Sequence, residues 1–216
     1  MDVTAGDGDE PAPGDGEGAF WDPSQCTGTP YCPPRCPRFV DKYGGGLVIR
    51  PYQSADWDPL NEMYRDYAME HRSMGIPPIG EKHITEWLST LVERGRNFVA
   101  VGDGRIVGHV VYAPRDDPEP ELAIFVHQDS HNRGIGTELC RHVIADAGDS
   151  GHEALLLHVA KENRRAIHVY LGLGFEVVPS ESTDTKMRLA LDQSVLAATR
   201  TTPPGDESAP ASGAGQ

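Results

Sequence analysis

The sequence predicts an α/β domain: a mixed β-sheet with helices on both faces. Three observations predict it. Short apolar runs of strand length alternate with longer segments whose apolar residues recur at helical spacing. A "GDG" between two β-rich runs marks a hairpin, and so antiparallel pairing. The run "ELAIFVH" is apolar nearly throughout, as a central strand buried on both faces would be.

The elements follow in order. Residues 47–50, "LVIR", bounded by "GGG" and Pro51, form a first strand. Residues 54–71, "SADWDPLNEMYRDYAMEH", form a helix with Ser54 as its N-cap and Leu60, Met63, Tyr64, Tyr67 and Ala68 at helical spacing. "RSMGIPPIG" breaks it. A second helix, "EKHITEWLSTLVERG", puts Ile84, Trp87, Leu88 and Leu91 on one face and stops at Gly95. The hairpin "NFVAVGDGRIVGHVVYA" and the strand "ELAIFVH" come next. A glycine turn then opens a helix with Ile135, Leu139, Val143 and Ala147 four apart. A strand "ALLLHVA", a helix over "NRRAIHVYLGL", and strands near "FEVV" and "KMRLAL" complete the order β-α-α-β-β-β-α-β-α-β-β.

That order occupies residues 46–192 of a 216-residue chain, an ordinary length for one domain. Residues 1–18 and 193–216 are rich in Gly, Pro, Ala and acid, too poor in apolar surface to offset chain entropy, and are expected to be disordered. Residues 19–45 form an arm aromatic enough to be ordered. The net charge of −14 argues against nucleic-acid and anionic-membrane partners, both polyanions. Only Lys42, Lys82, Lys161 and Lys186 are lysines. This acid-rich, lysine-poor balance fits adaptation to high salt, where screening weakens self-repulsion, and equally an ordinary acidic protein. No apolar run approaches the ~18 residues of a membrane span, and the N-terminus is acidic where a leader is basic, so a cytoplasmic location is expected. Cys26, Cys32 and Cys36 have C-x5-C-x3-C spacing, which is not a standard zinc spacing and lacks an obvious fourth ligand, so no metal is expected and packing of small thiols is the alternative.

The turn "HNRGIG" after "ELAIFVH" carries the chemistry. Unpaired amides of a helix's first turn and the positive end of its dipole favour an anion. Glycine at 134 and 136 lets a ligand approach the backbone. A P-loop would need Lys and then Ser or Thr after Gly136, and a dinucleotide fingerprint would need a small residue where Leu139 stands. Neither fits. Between His131 and Gly172 five basic residues balance five acids, a neutral window in a chain of charge −14 where a polyanionic cofactor could bind.

A second stretch, Asn163 to Phe175, reads Asn-x-x-Ala-x-x-x-Tyr-x-x-x-Gly-Phe. With the glycine turn, it resembles the GNAT superfamily of N-acetyltransferases. That family carries a (Gln/Arg)-x-x-Gly-x-(Gly/Ala) pyrophosphate loop after its fourth strand and this Asn-to-Phe pattern after its fifth. The second pattern is complete in Asn163, Ala166, Tyr170, Gly174 and Phe175. The first departs only at His131, where Gln or Arg is usual.

The resemblance implies direct transfer of an acetyl group from acetyl-CoA, as co-substrate, to an amine on a small molecule or a protein. It places His131, Asn132, Arg133, Gly134, Ile135, Gly136 and Thr137 around the pyrophosphate, with Asn163 also contacting the cofactor. It implies a backbone amide near Val126 for the thioester carbonyl, Tyr170 as the acid for the departing thiolate, and a carboxylate such as Glu121 as base. Each has a plainer alternative: Tyr170 as a core aromatic, Asn163 as a helix N-cap, Glu121 as a solvated strand end. His127 could also serve as base. His152, His158 and His168 suggest no metal. A non-catalytic acyl-CoA-binding module of the same fold is the alternative function, and the expected assembly is a monomer or homodimer.

Overall fold

The computed structural model describes residues 26–72 and 76–201. The acidic segment 1–18, the start of the arm and the last residues from 202 lie outside the described residues. Eight strands form one sheet: β1 (Arg38–Val40), β2 (Gly46–Pro51), β3 (Arg96–Gly102), β4 (Arg105–Ala113), β5 (Glu121–Val126), β6 (Ala154–Val159), β7 (Glu176–Val177) and β8 (Thr185–Ala190). Their spatial order is β1-β2-β3-β4-β5-β6-β8-β7. Among the described residues five helices accompany them: α1 (Trp57–Arg65), α2 (Glu81–Arg94), α3 (Ile135–Asp149), α4 (Arg164–Gly172) and α5 (Gln193–Thr199). Neighbouring strands are antiparallel except β5 and β6, which are parallel and joined through α3. The expected mixed sheet is therefore the observed one.

The "GDG" turn behaves as its residues dictate. Asp103 and Gly104 take positive φ of 50° and 71°, and Gly102 pairs with Arg105 across the hairpin. Helices cover both faces. On one, Leu60, Met63 and Tyr64 of α1 and Leu88 of α2 pack with Val99 and Phe125. On the other, Leu139 and Val143 of α3 and Tyr170 of α4 pack with Val110, Leu122 and Leu157.

Helix α3 is buried on more than its predicted stripe. Glu138, His142 and Asp146, four residues apart, form a second buried row. Their neighbours are polar: Glu138 lies 2.6 Å from Arg35 Nε, His142 Nε2 lies 3.9 Å from Glu138 Oε1, and Asp146 accepts from Arg96 Nη2 at 3.0 Å and Tyr112 Oη at 2.8 Å. The arm, laid along α3, covers residues that helical periodicity alone would assign to water. In that arm Cys26 Sγ lies 3.6 Å from Arg38 Nη1, and the Arg38 amide bonds Cys36. All three arm cysteines are free thiols, and among the described residues no group of three or more His, Cys, Asp or Glu is placed to hold a metal ion.

Two boundaries differ from the sequence expectation. The first helix ends at Arg65 rather than residue 71, leaving a 3-10 turn at Met69–His71. Arg72 accounts for the stop, because Nη2 donates to the Tyr64 and Tyr67 carbonyls at 3.4 and 2.9 Å. Ser54, expected as the N-cap, lies inside a 3-10 turn, and the N-cap position of α1 falls to Asp56, whose carboxylate makes no capping bond to that helix and instead pairs with Arg50 at 2.6 Å.

The segment from 193, expected to be disordered, instead contributes α5. Asp192 caps it through the Ser194 and Val195 amides, and Leu196 packs on Gly148 of α3, where an added Cβ would come within 2.1 Å. Among the described residues no helix is long and apolar enough to cross a membrane.

Candidate active site

Strands β5 and β6 pair at one place only, Glu121 with Leu156, where the Leu156 amide also donates to the Pro120 carbonyl at 3.0 Å. Beyond it the ladder between them ends, and their C-terminal halves border a gap. The gap opens where β5 leads into α3 and β6 into α4. Crevices outside the carboxyl ends of strands are where open α/β sheets bind ligands.

The glycine loop stands at that mouth. Gly134 is the N-cap of α3 in the left-handed region, φ 90° and ψ −3°, and Asn132 before it has φ 66°. No side chain caps the helix, so its first-turn amides are available to an anion. Ile135 contributes only its backbone there, since its side chain is buried in the core. An added Cβ at Gly136 would meet Val126 and Ile124 at ordinary contact distances of 3.6 and 3.8 Å. The fold's own packing therefore gives no reason for glycine at 136, whereas close approach of a ligand would.

The side chains of the loop are committed to the protein. His131 Nε2 donates to the Val126 carbonyl at 2.8 Å, and its ring stacks edge-on against His71 at 4.7 Å. Burial depresses the His131 pKa against the opposing pull of that carbonyl, and the charges of His71, Arg165 and His127 lower it further. Arg165, on the first turn of α4, therefore lies near enough across the mouth to act on it. Arg133 is ion-paired with the buried carboxylate of Asp41. Asn163 caps α4, its Oδ1 accepting from the Ala166 amide at 3.1 Å, which leaves its side-chain amino group unused by the cap. Thr137 is half-buried on the first turn of α3.

Tyr170 is buried in the core, its ring 5.7 Å from Phe175. Burial, and then the neighbouring Cys140 thiol, push its pKa up, so the phenol stays protonated. Glu121 is exposed and stands five positions before Val126, about 16 Å along an extended strand. The structure thus brings Val126, the glycine loop and Asn163 to one mouth and leaves Glu121 at the far end of β5.

Two contacts at that mouth involve groups that sequence periodicity had assigned to a helix face. The hydroxyl of Tyr67, which lies just beyond α1, is near enough to the Val126 amide to feel it, and burial raises that phenol's pKa against the amide's opposing pull. The adjacent His127 has a nearly buried ring, with Nε2 3.2 Å from Asp66 Oδ2. Tyr67 had registered only as one more apolar position, and nothing in the spacing of Asp66 set it apart.

Known proteins resemble the chain in sequence and in fold. The acetyltransferase (GNAT) family matches residues 57–175. A mycothiol acetyltransferase of Mycolicibacterium vanbaalenii is 32% identical over 127 residues, covering 56% of this chain and 40% of that protein. The chain thus spans about two fifths of that relative's length. Among solved structures, the GNAT domain of S. lividans PAT superposes with a TM-score of 0.62 at 20% identity, over 71% of this chain and 95% of that one. The acetyltransferase YncA of Salmonella typhimurium, solved with acetyl-CoA, gives 0.56 at 19% identity over 74% and 98%. By fold, by the two motifs and by the family match over 57–175, the chain belongs to the GNAT family of acetyltransferases.

Proposed function

We propose that the protein is an acetyl-CoA-dependent N-acetyltransferase acting by direct transfer onto a primary amine. The observation that carries this reading is the uncapped N-terminus of α3 behind left-handed Gly134, set at the mouth where β5 and β6 part. When bound there, acetyl-CoA supplies a thioester carbonyl open to a free amine, with a thiolate as leaving group.

The residues around the mouth have distinct tasks. The α3 amides hold the diphosphate. The Val126 amide, with the Tyr67 hydroxyl beside it, faces the developing oxyanion. His127, oriented by Asp66, takes the proton of the incoming ammonium. Glu121, exposed at the far end of β5, takes no part in this reading. Tyr170, kept protonated by burial, is the acid for the thiolate. The acceptor approaches from the face covered by α1 and α2, to which Phe125 and Tyr64 belong.

The test is release of free thiol from acetyl-CoA by the full chain with a panel of amines: amino acids, aminosugar thiols, polyamines and peptide N-termini. Running it at low and at molar salt also tests the salt adaptation suggested by the acidic composition. Amine-dependent thiol release is expected for at least one class. Tight acetyl-CoA binding with no turnover across the panel would leave a non-catalytic binding module of the same fold.

A further inference from the structure

The turn between β1 and β2 lies outside residues 57–175, the part matching the family, yet it is built against the phosphate loop. Asp41 organises it. Its carboxylate accepts from the Tyr43 and Gly45 amides at 2.8 and 2.9 Å and pairs with Arg133, while its own amide donates to the Gly45 carbonyl at 2.9 Å. The Lys42 amide donates to the Arg133 carbonyl at 3.2 Å, so turn and loop are joined through backbone as well as side chains. Beneath them, an added Cβ on Gly134 would meet Phe39 at 3.5 Å and Lys42 Cε at 3.7 Å.

This joining has an electrostatic cost for the loop. Asp41 neutralises Arg133, and the His131 donor is taken by Val126. The loop's own side chains therefore offer little positive charge to a diphosphate. Lys42 differs. It is exposed and has no hydrogen bond or ion pair from its ammonium among the described residues, and its stem runs along the residue that caps α3. The ammonium is one bond beyond the Cε that lies against Gly134.

We propose that Lys42, delivered by the β1–β2 turn, binds the diphosphate of coenzyme A and replaces the charge that Asp41 removes from Arg133. The inference rests on the acetyl-CoA reading above and adds an accessory ligand from the arm. Asp41 then has a second purpose, since it fixes the backbone from which Lys42 reaches.

Isothermal calorimetry on the full chain tests it with three probes: coenzyme A, dephospho-coenzyme A lacking the 3′-phosphate, and acetyl-pantetheine lacking both phosphate groups. The proteins are the parent, Lys42→Glu and Lys42→Arg, with thermal melting to show that each is folded. Charge-assisted phosphate contacts are strong enough that Lys42→Glu should weaken both coenzyme A and dephospho-coenzyme A by at least about tenfold. Acetyl-pantetheine should be unaffected, and Lys42→Arg should stay within about threefold of the parent for all three. Equal coenzyme A affinity in parent and Lys42→Glu would overturn the proposal. A penalty present with coenzyme A and absent with dephospho-coenzyme A would also overturn it, because the contact would then be to the 3′-phosphate. A parent that binds none of the probes would remove the acetyl-CoA reading itself, a result distinct from either.

Discussion

Tyr170 combines two roles that sequence inspection treats as alternatives. Its ring belongs to the core between α3 and α4, and that burial is what holds its hydroxyl protonated. A general acid for the thiolate acts in the transition state and contributes little to ground-state binding. Tyr170→Phe keeps the ring and deletes only the hydroxyl. Turnover should fall by about 10²- to 10⁴-fold, the usual contribution of a positioned acid, with acetyl-CoA affinity changed less than about threefold. Because burial raises the pKa, Tyr170 itself should impose no alkaline limb on the parent's rate profile up to about pH 10, the ordinary value for a phenol. His127→Gln, measured in the same assay, should lower turnover at least about tenfold through loss of the base. Turnover of Tyr170→Phe within twofold of the parent would return Tyr170 to a purely structural role.

At the scale of elements, punctuation residues were legible and long-range partnerships were not. Gly95 ends α2 as its position suggested, and its necessity is steric. A Cβ there would fall 2.4 Å from Val111 Cγ2, 2.8 Å from the Leu91 carbonyl and 3.1 Å from the Tyr112 carbonyl. Backbone oxygens cannot step aside as a side-chain end can, so Gly95→Ala should destabilise by about 1–3 kcal/mol in urea titration. Gly172→Ala is the control, because its Cβ would enter open space, and it should be neutral or slightly stabilising. Stability of Gly95→Ala equal to the parent's would refute the steric account. The glycine loop and the Asn163-to-Phe175 pattern were legible for the same reason, since each is local in sequence. The bonds that furnish the mouth are not: Asp66 meets His127 across 61 residues and Asp41 meets Arg133 across 92. Helix α5 escaped because Val195 and Leu196 are few apolar residues beside a Pro- and Gly-rich tail. Their burial depends on a surface of α3 that a composition window cannot see.

Across the whole molecule, buried histidines should decide how the fold responds to acid. His109 is fully enclosed between Tyr64 Oη at 2.6 Å and Asn97 Oδ1 at 2.9 Å, and burial lowers its pKa to about 3. His142 lies under the arm, and burial lowers it to about 4 against the opposing attraction of Glu138. Both are therefore neutral in the folded protein, whereas in the unfolded chain they take up protons near the ordinary value of about 6.5. The unfolded state then binds more protons below that pH, so this contribution is fully present above about pH 6.5 and lost as pH falls toward the folded values. Asp41, Asp56 and Glu138 have depressed pKa values, with hydrogen bonds and cationic partners outweighing the opposing desolvation. Their contribution is likewise lost in acid, but only below about pH 4, the ordinary carboxylate range. Urea stability should therefore begin to fall near pH 6.5, with a slope approaching about 1.4 kcal/mol per pH unit for each buried histidine. His142→Gln cannot titrate yet keeps a polar side chain of similar length, so it should reduce the slope between pH 6.5 and 5 by roughly half. Stability that stays level from pH 7 to 5 and falls only below 4.5 would assign acid lability to the carboxylates alone.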